Sequence, residues 1–443
     1  MSDITKITSL GREFKGSTVS TKNQVAKKTK TAGLSDSFKE TNKINQDLKI
    51  YGTSQVQKVK AAQTVSPAEE PDYSVDSRIV KVANILVDYS TEVKPGEGVY
   101  VQYAPDAKEL AGEIQKQALK KGASRVIMDM ADPQVEYNLL AYGNEEQIKD
   151  TGNKLEDLKK CQVWIGLGAP TNTNQMSNID PKKLAMRNKA TREVQDYRVN
   201  QMRWVITRMP TSTAASDAKM SDSEYKQFIY QAIIQDWSKQ NEIQDQIKER
   251  LDKAKEVHLV GENTDLTFSI AGRESRKCVG KRNIPDGEIY IAPVRETMNG
   301  HVQFTYPALS SGGEIPDVYL EYKDGELVKY TTSGDQERLN EMINTDDGAK
   351  YFGEFGIGTN YQIDKFTRNT LFDEKIGGSI HLALGNPYEG TGGTHKSSIH
   401  VDIVKDLRNG GGIYLDGKPL QENGKFSFDE PAKDKTAQTK NGR

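Results

Sequence analysis

Apolar residues in the first half of the chain switch between helical and strand periods. Ile79, Val82, Ala83 and Leu86 recur at helical spacing, a Gly96-Glu97-Gly98 turn follows, and residues 99–103 predict a buried strand. Residues 108–121 predict an amphipathic helix stopped by Gly122, and residues 125–128 the next strand. Further apolar strands are expected at residues 163–167 and 204–206, separated by polar segments of helix length. That alternation belongs to a parallel sheet covered by helices. Helical patterns at residues 221–236 and 238–254 close the unit, so an α/β domain is expected over residues 73–280.

The texture changes at Lys281-Arg282-Asn283-Ile284-Pro285, the expected crossing point between domains. Short strands and turns such as Asp286-Gly287, Asn299-Gly300 and Asp324-Gly325 follow. A mostly β, metal-binding (α+β) domain is expected over residues 281–420, with a polar tail over residues 421–443. The fold class is therefore α/β with a second, β-rich domain.

Four segments of this second half share one arrangement, because alternate side chains of a strand lie on the same face. In Gly287-Glu288-Ile289-Tyr290-Ile291, Glu288 and Tyr290 oppose the two isoleucines. His381 opposes Ile380, Leu382 and Leu384, and His400 with Asp402 opposes Ile399, Val401 and Ile403. Glu354 sits in Gly353-Glu354-Phe355-Gly356-Ile357-Gly358, where glycines allow close approach of backbone or ligand.

Charge separates off the amino-terminal segment. Residues 1–65 hold twelve Lys or Arg against five Asp or Glu, a net of +7, whereas the whole chain carries −2. Residues 1–72 are poor in aromatics and rich in Ser, Thr, Gln and Lys, so a largely disordered basic arm is expected. Nucleic-acid binding by the whole protein is not expected from a charge of −2, and the arm is the one segment that could provide it. No apolar run approaches the about 18 residues needed to span a bilayer and no secretory signal is evident, so no membrane association and a cytoplasmic address are expected. Cys161 and Cys278 are expected as reduced thiols. Gly166-Leu167-Gly168 after a strand matches a nucleotide-binding turn only weakly, since no third glycine is in register, and no organic cofactor is expected.

Two histidines and three carboxylates form the donor set that a pair of divalent ions needs, because imidazole and carboxylate suit zinc, cobalt and manganese. Two ions about 3.5–4 Å apart can share a carboxylate and a water, make that water more acidic and polarise a scissile carbonyl. Hydrolysis is the expected use. Each motif alone is weak, since a His-x-Asp on a strand is more often a satisfied polar pair. Three of the five histidines, His381, His395 and His400, fall within twenty residues of glycine-rich sequence.

Taken together, these segments resemble the dinuclear metalloaminopeptidases of the aminopeptidase T and aminopeptidase S type. The resemblance is carried by Asn283-Ile284-Pro285-Asp286-Gly287-Glu288-Ile289-Tyr290-Ile291-Ala292-Pro293, Gly353-Glu354-Phe355-Gly356-Ile357-Gly358-Thr359-Asn360, Ile380-His381-Leu382-Ala383-Leu384-Gly385 and Ser397-Ser398-Ile399-His400-Val401-Asp402. With Val93-Lys94-Pro95-Gly96-Glu97 and residues 204–220 it spans residues 77–420.

What the resemblance implies is a homodimer that removes amino-terminal residues from peptides with two divalent ions (Zn, Co or Mn). It implies Glu288, Glu354, His381, His400 and Asp402 as metal ligands, and Glu288, Glu354 and Tyr388 in catalytic roles. Tyr388, seven residues after His381, is implied as the tyrosine beside the metals. The bridging carboxylate stays unassigned. The chain departs from the family pattern in its basic arm, in Thr394-His395 where an asparagine is usual, and in His301, and both extra histidines are expected at the surface. The alternatives are an inactive peptide-binding or assembly protein of the same fold, and a metal-dependent hydrolase of other amides or phosphates.

Overall fold

Among the residues described by the computed structural model, 75–310 and 313–428, the chain forms one unit of contacts. The basic arm over residues 1–72 and residues 429–443 of the polar tail lie outside the described residues.

The first layer follows the predicted alternation. Helix α1 (Ser77–Asn84) starts where the Asp76 carboxylate accepts from the Arg78 amide at 3.0 Å, and it buries Ile79, Val82 and Ala83. Strands β1 (Gly98–Tyr103), β2 (Arg125–Met130), β3 (Val163–Gly168), β4 (Arg203–Arg208) and β8 (Asn283–Ile284) form a wholly parallel sheet in the order β2-β1-β3-β4-β8. Helix α2 (Lys108–Lys120) buries Leu110, Ala111, Ile114 and Ala118 and is followed by Gly122 at φ +86°. Helix α3 (Pro181–Gln201) buries none of its residues, as its polar sequence requires. Helix α4 (Asp222–Ile233) closes the layer on the same core, and α5 (Trp237–Leu251) joins it through Trp237 while its Ile247 and Leu251 enter the core of the antiparallel sheets. Gly166 is explained by packing: a Cβ there would lie 2.2 Å from the Trp164 ring.

The antiparallel half begins before the parallel sheet is complete. Strands β5 (Glu256–Gly261), β6 (Thr264–Ser269), β10 (Asn299–Gln303), β13 (Tyr319–Lys323), β14 (Glu326–Thr331), β18 (Gly412–Leu415), β19 (Lys418–Glu422) and β20 (Lys425–Phe426) form an eight-stranded sheet, ordered β14-β13-β10-β6-β5-β18-β19-β20. Thus β5 and β6 precede β8, the last strand of the parallel sheet, and Phe426 stays buried at the far edge. Strands β11 (Ala308–Ser310) and β12 (Gly313–Ile315) make a small ribbon.

Strands β7 (Arg276–Cys278), β9 (Glu288–Ile291), β15 (Phe352–Gly358), β16 (Ser379–Gly385) and β17 (His400–Asp406) form a third sheet, ordered β17-β16-β15-β9-β7 and antiparallel throughout. One face shares a core with the eight-stranded sheet through Ile289, Ile291, Phe355, Ile357, Ile380, Leu382, Leu384 and Ile403. Phe268 and Phe355 meet edge to face there, with ring centroids 5.3 Å apart. Period-two geometry then turns every alternate side chain to the other face.

Candidate metal centre

That other face gathers the predicted donors. Register sets Glu288 across from Gly358, Tyr290 and His381 across from Gly356, Asp402 across from Ala383, and His400 across from Gly385. Gly356 has a steric purpose, because a Cβ there would lie 2.0 Å from His381 Cε1. The small residue opposite each donor leaves space in which the side chains of four neighbouring strands converge.

Glu354 stands between the two histidines. Its Oε1 lies 3.2 Å from His381 Nε2 and its Oε2 lies 3.3 Å from His400 Nε2. His381 Nε2 is also 3.5 Å from Glu288 Oε2, and His400 Nε2 is 3.4 Å from Asp402 Oδ1. Both imidazoles are oriented from behind by backbone carbonyls: His381 Nδ1 lies 3.1 Å from Glu374 O and His400 Nδ1 lies 2.7 Å from Asn386 O. A carbonyl only accepts, so each Nδ1 carries a proton and each Nε2 turns its lone pair to the cluster. The result is a nest of acceptors. Glu288 Oε2, Glu354 Oε2, His400 Nε2 and Asp402 Oδ1 are buried without hydrogen-bond partners.

Buried acceptors facing one another are costly unless a positive charge joins them. Burial, reinforced by Glu374 and only partly opposed by Lys375 and His381, pushes Glu288 up to about 8. Burial also works to raise Glu354 and Asp402, but the two imidazoles outweigh it for Glu354 and His400 does so for Asp402, at about 2. The imidazoles move the other way, His381 up to about 9, because Glu354 and its neighbouring carboxylates overcome the effect of burial. The proton drawn onto each imidazole takes the lone pair a cation would use. The donor set fits divalent ions: oxygen and imidazole nitrogen atoms of Glu288, Glu374 and His381 lie within 4.8 Å of one another, and so do those of Glu354, His400 and Asp402.

Glu374 and Lys375 were not among the expected site residues. Lys375 is wholly buried, its ammonium 3.2 Å from Glu288 Oε1 and paired with Glu374 Oε1. Both lie just after the four-residue helix Thr370–Asp373, too short to develop either period, and the charged run Asp373-Glu374-Lys375 was their only signal. Tyr388 packs against His400 with ring centroids 4.6 Å apart and against Tyr290 at 5.4 Å. His301, also expected at the surface, is half-buried beside Tyr319, the two rings tilted with centroids 5.8 Å apart. His395 departs from the surface expectation: it is half-buried, and its Nε2 is 2.7 Å from Gly385 O, bracing the end of β16.

A β-sheet face carrying paired histidines and buried carboxylates has the donor set of a metal-dependent enzyme. Residues 75–426 match the thermophilic metalloprotease (M29) family model, and the chain belongs to that family as a peptidase. Aminopeptidase 2 of Geobacillus stearothermophilus is 26% identical over 80% of this chain and 98% of its own. Aminopeptidase AmpS of Bacillus subtilis (strain 168) is 26% identical over 80% of this chain and 100% of its own. The solved structure of wild-type AmpT from Thermus thermophilus covers 79% of this chain and 99% of its own at a TM-score of 0.67 and 20% identity, a likeness of two-domain α/β fold.

Proposed function

We propose that this peptidase is an aminopeptidase that releases amino-terminal residues from short peptides, using two divalent ions (Zn, Co or Mn) held by Glu288, Glu354, His381, His400 and Asp402. The observation that carries the reading is the convergence of four buried, unpartnered acceptor atoms from Glu288, Glu354, His400 and Asp402. Glu354 would lie between the two groups of donors, since each of its oxygens faces a different histidine. Glu374 joins Glu288 and His381 as a further oxygen donor. The relatives named as aminopeptidases support the choice of substrate end.

Bound ions would supply Lewis acidity toward the scissile carbonyl and a more acidic water. The chain's own groups then divide the remaining work. Glu288 and Glu354 are the carboxylates available to take the proton of an attacking water and pass it to the leaving amine. Tyr388, whose phenol burial holds well above its ordinary pKa, stays protonated and is a donor for the developing oxyanion. The reading includes a homodimer, as the family resemblance implies, and a cytoplasmic address, supported by the free thiols of Cys161 and Cys278. It includes no membrane partner; no described helix is long and apolar enough to cross a bilayer.

The test is release of free amino acid from leucyl, arginyl and aspartyl peptides by chelator-stripped protein resupplied with zinc, cobalt or manganese. Metal-restored cleavage from the amino end is expected. Binding of peptides by folded, metal-loaded protein without cleavage would replace the reading with that of an inactive peptide-binding protein.

A further inference from the structure

The two donor groups of the centre are not equally free. Among the described residues, the group of Glu354, His400 and Asp402 has three buried acceptor atoms without a partner: Glu354 Oε2, His400 Nε2 and Asp402 Oδ1. The group of Glu288, Glu374 and His381 has one, Glu288 Oε2. Lys375 makes the difference. Its ammonium lies 3.2 Å from Glu288 Oε1 and also bonds Glu374 Oε1, so one oxygen of each glutamate already faces a cation. The side chain is wholly buried and cannot turn to water. Its backbone is held as well, the Lys375 amide donating to Phe372 O at 3.0 Å and its carbonyl accepting from the Asn360 amide at 3.1 Å.

Like charges repel most strongly where water is excluded. An ion entering on Glu288 Oε2 shares its carboxylate with the ammonium on Oε1, whereas Glu354, His400 and Asp402 share none of their free acceptors with a lysine. We propose that Lys375 is a resident cation that makes the two ion positions unequal. The position at Glu354, His400 and Asp402 fills first and keeps its ion, and the position at Glu288, Glu374 and His381 fills second and exchanges. Lys375 is thus a positioning residue: it draws one oxygen of each glutamate away from the ion and sets how readily the second ion leaves. The inference rests on the two-ion part of the proposed function.

Zinc titration of the stripped full-length protein, in competition with a chelator of known affinity, tests this. The two steps are expected to differ by at least about tenfold in Kd. With nitrogen-15 in its five histidines, the wild type should show the His400 signal moving at the first equivalent and the His381 signal at the second. Lys375→Met and Lys375→Gln remove the charge, so the second step should tighten and the gap narrow to about threefold or less. A lysine with a merely structural role moves the other way, since its loss would loosen the site. His381 responding first or together with His400, or a second step that weakens or stays the same in the variants, would overturn the inference; the wild-type order decides alone if neither variant folds. Absence of any bound zinc sinks the metal reading and this inference together. Ordered binding of two ions without cleavage of any peptide sinks the aminopeptidase reading and leaves the role of Lys375 standing.

Discussion

Gly356 and Glu354 set the spacing of the candidate centre, one by absence of a side chain and one by having two oxygens. A methyl group at residue 356 would stand 2.0 Å from His381 Cε1 and 2.1 Å from its Nε2, so the imidazole must rotate out of the cluster. Gly356→Ala is expected to lower bound metal, measured by elemental analysis, and to destabilise the fold by about 1–3 kcal/mol in denaturant titration, the usual cost of overpacking. Glu354→Gln keeps the shape and removes the charge that faces both histidines. Its kcat is expected to fall by about 100-fold or more, with an unchanged circular dichroism spectrum and reduced metal content. A Gln variant with full metal and full activity would remove Glu354 from the centre.

At the scale of elements, β17 depends on a clamp at its entrance. Asp346 accepts from the Ser398 amide at 2.6 Å, the Ser398 hydroxyl at 2.7 Å and the Gly348 amide at 3.0 Å, two residues before His400. Burial works to raise the Asp346 pKa, but these donors win and hold it at about 2, below its ordinary 3.8. A depressed folded pKa means the clamp's contribution is complete above the ordinary value and is lost as pH falls through 3.8 toward 2. Asp346→Ala should therefore cost on the order of 1–2 kcal/mol at pH 7, and the gap from wild type should narrow in denaturant titrations near pH 3. A gap independent of pH would mean that the aspartate charge does not hold the clamp. The strands themselves were legible because a half-buried strand writes its two faces into alternate positions, and Glu288, His381, His400 and Asp402 stand opposite isoleucine, leucine and valine. Glu374, Lys375 and Asp373 were not legible. They lie in and after a single helical turn, where position is fixed by tertiary packing of Phe372 and Ile376 rather than by any local period. The early start of the antiparallel half was equally hidden, since strand pairing between β5 and β18 joins residues over 150 positions apart.

For the whole molecule, the segment between β15 and β16 couples the two cores to the site. Ile363, Phe372 and Ile376 pack into the core of the parallel sheet, while Phe355 and Leu382 on the flanking strands pack into the core between the antiparallel sheets. Asn360 ties the same segment to both sides, its side-chain amide donating to Ala232 O at the end of α4 at 3.2 Å and to Asp286 O at 2.9 Å. Glu374 and Lys375 ride on this segment, and Glu288, Glu354, His381, His400 and Asp402 come from the sheet it crosses. Ions joining the two sets of donors would therefore bind the folded arrangement and not the unfolded chain. Such binding stabilises by about 2.7 kcal/mol at a free ion concentration one hundred times Kd. Stripping with chelator is expected to lower the melting temperature, and resupplied ion to raise it again in proportion to the logarithm of its free concentration; stripping is also expected to speed amide hydrogen exchange first in residues 359–378, ahead of strands β1 and β3. Faster exchange spread evenly over both cores would mean that the ions stabilise the fold as a whole, and the same melting temperature with and without ions would deny the acceptor nest any metal, because four buried, unpartnered acceptors cannot gain a cation without the folded state gaining its binding energy.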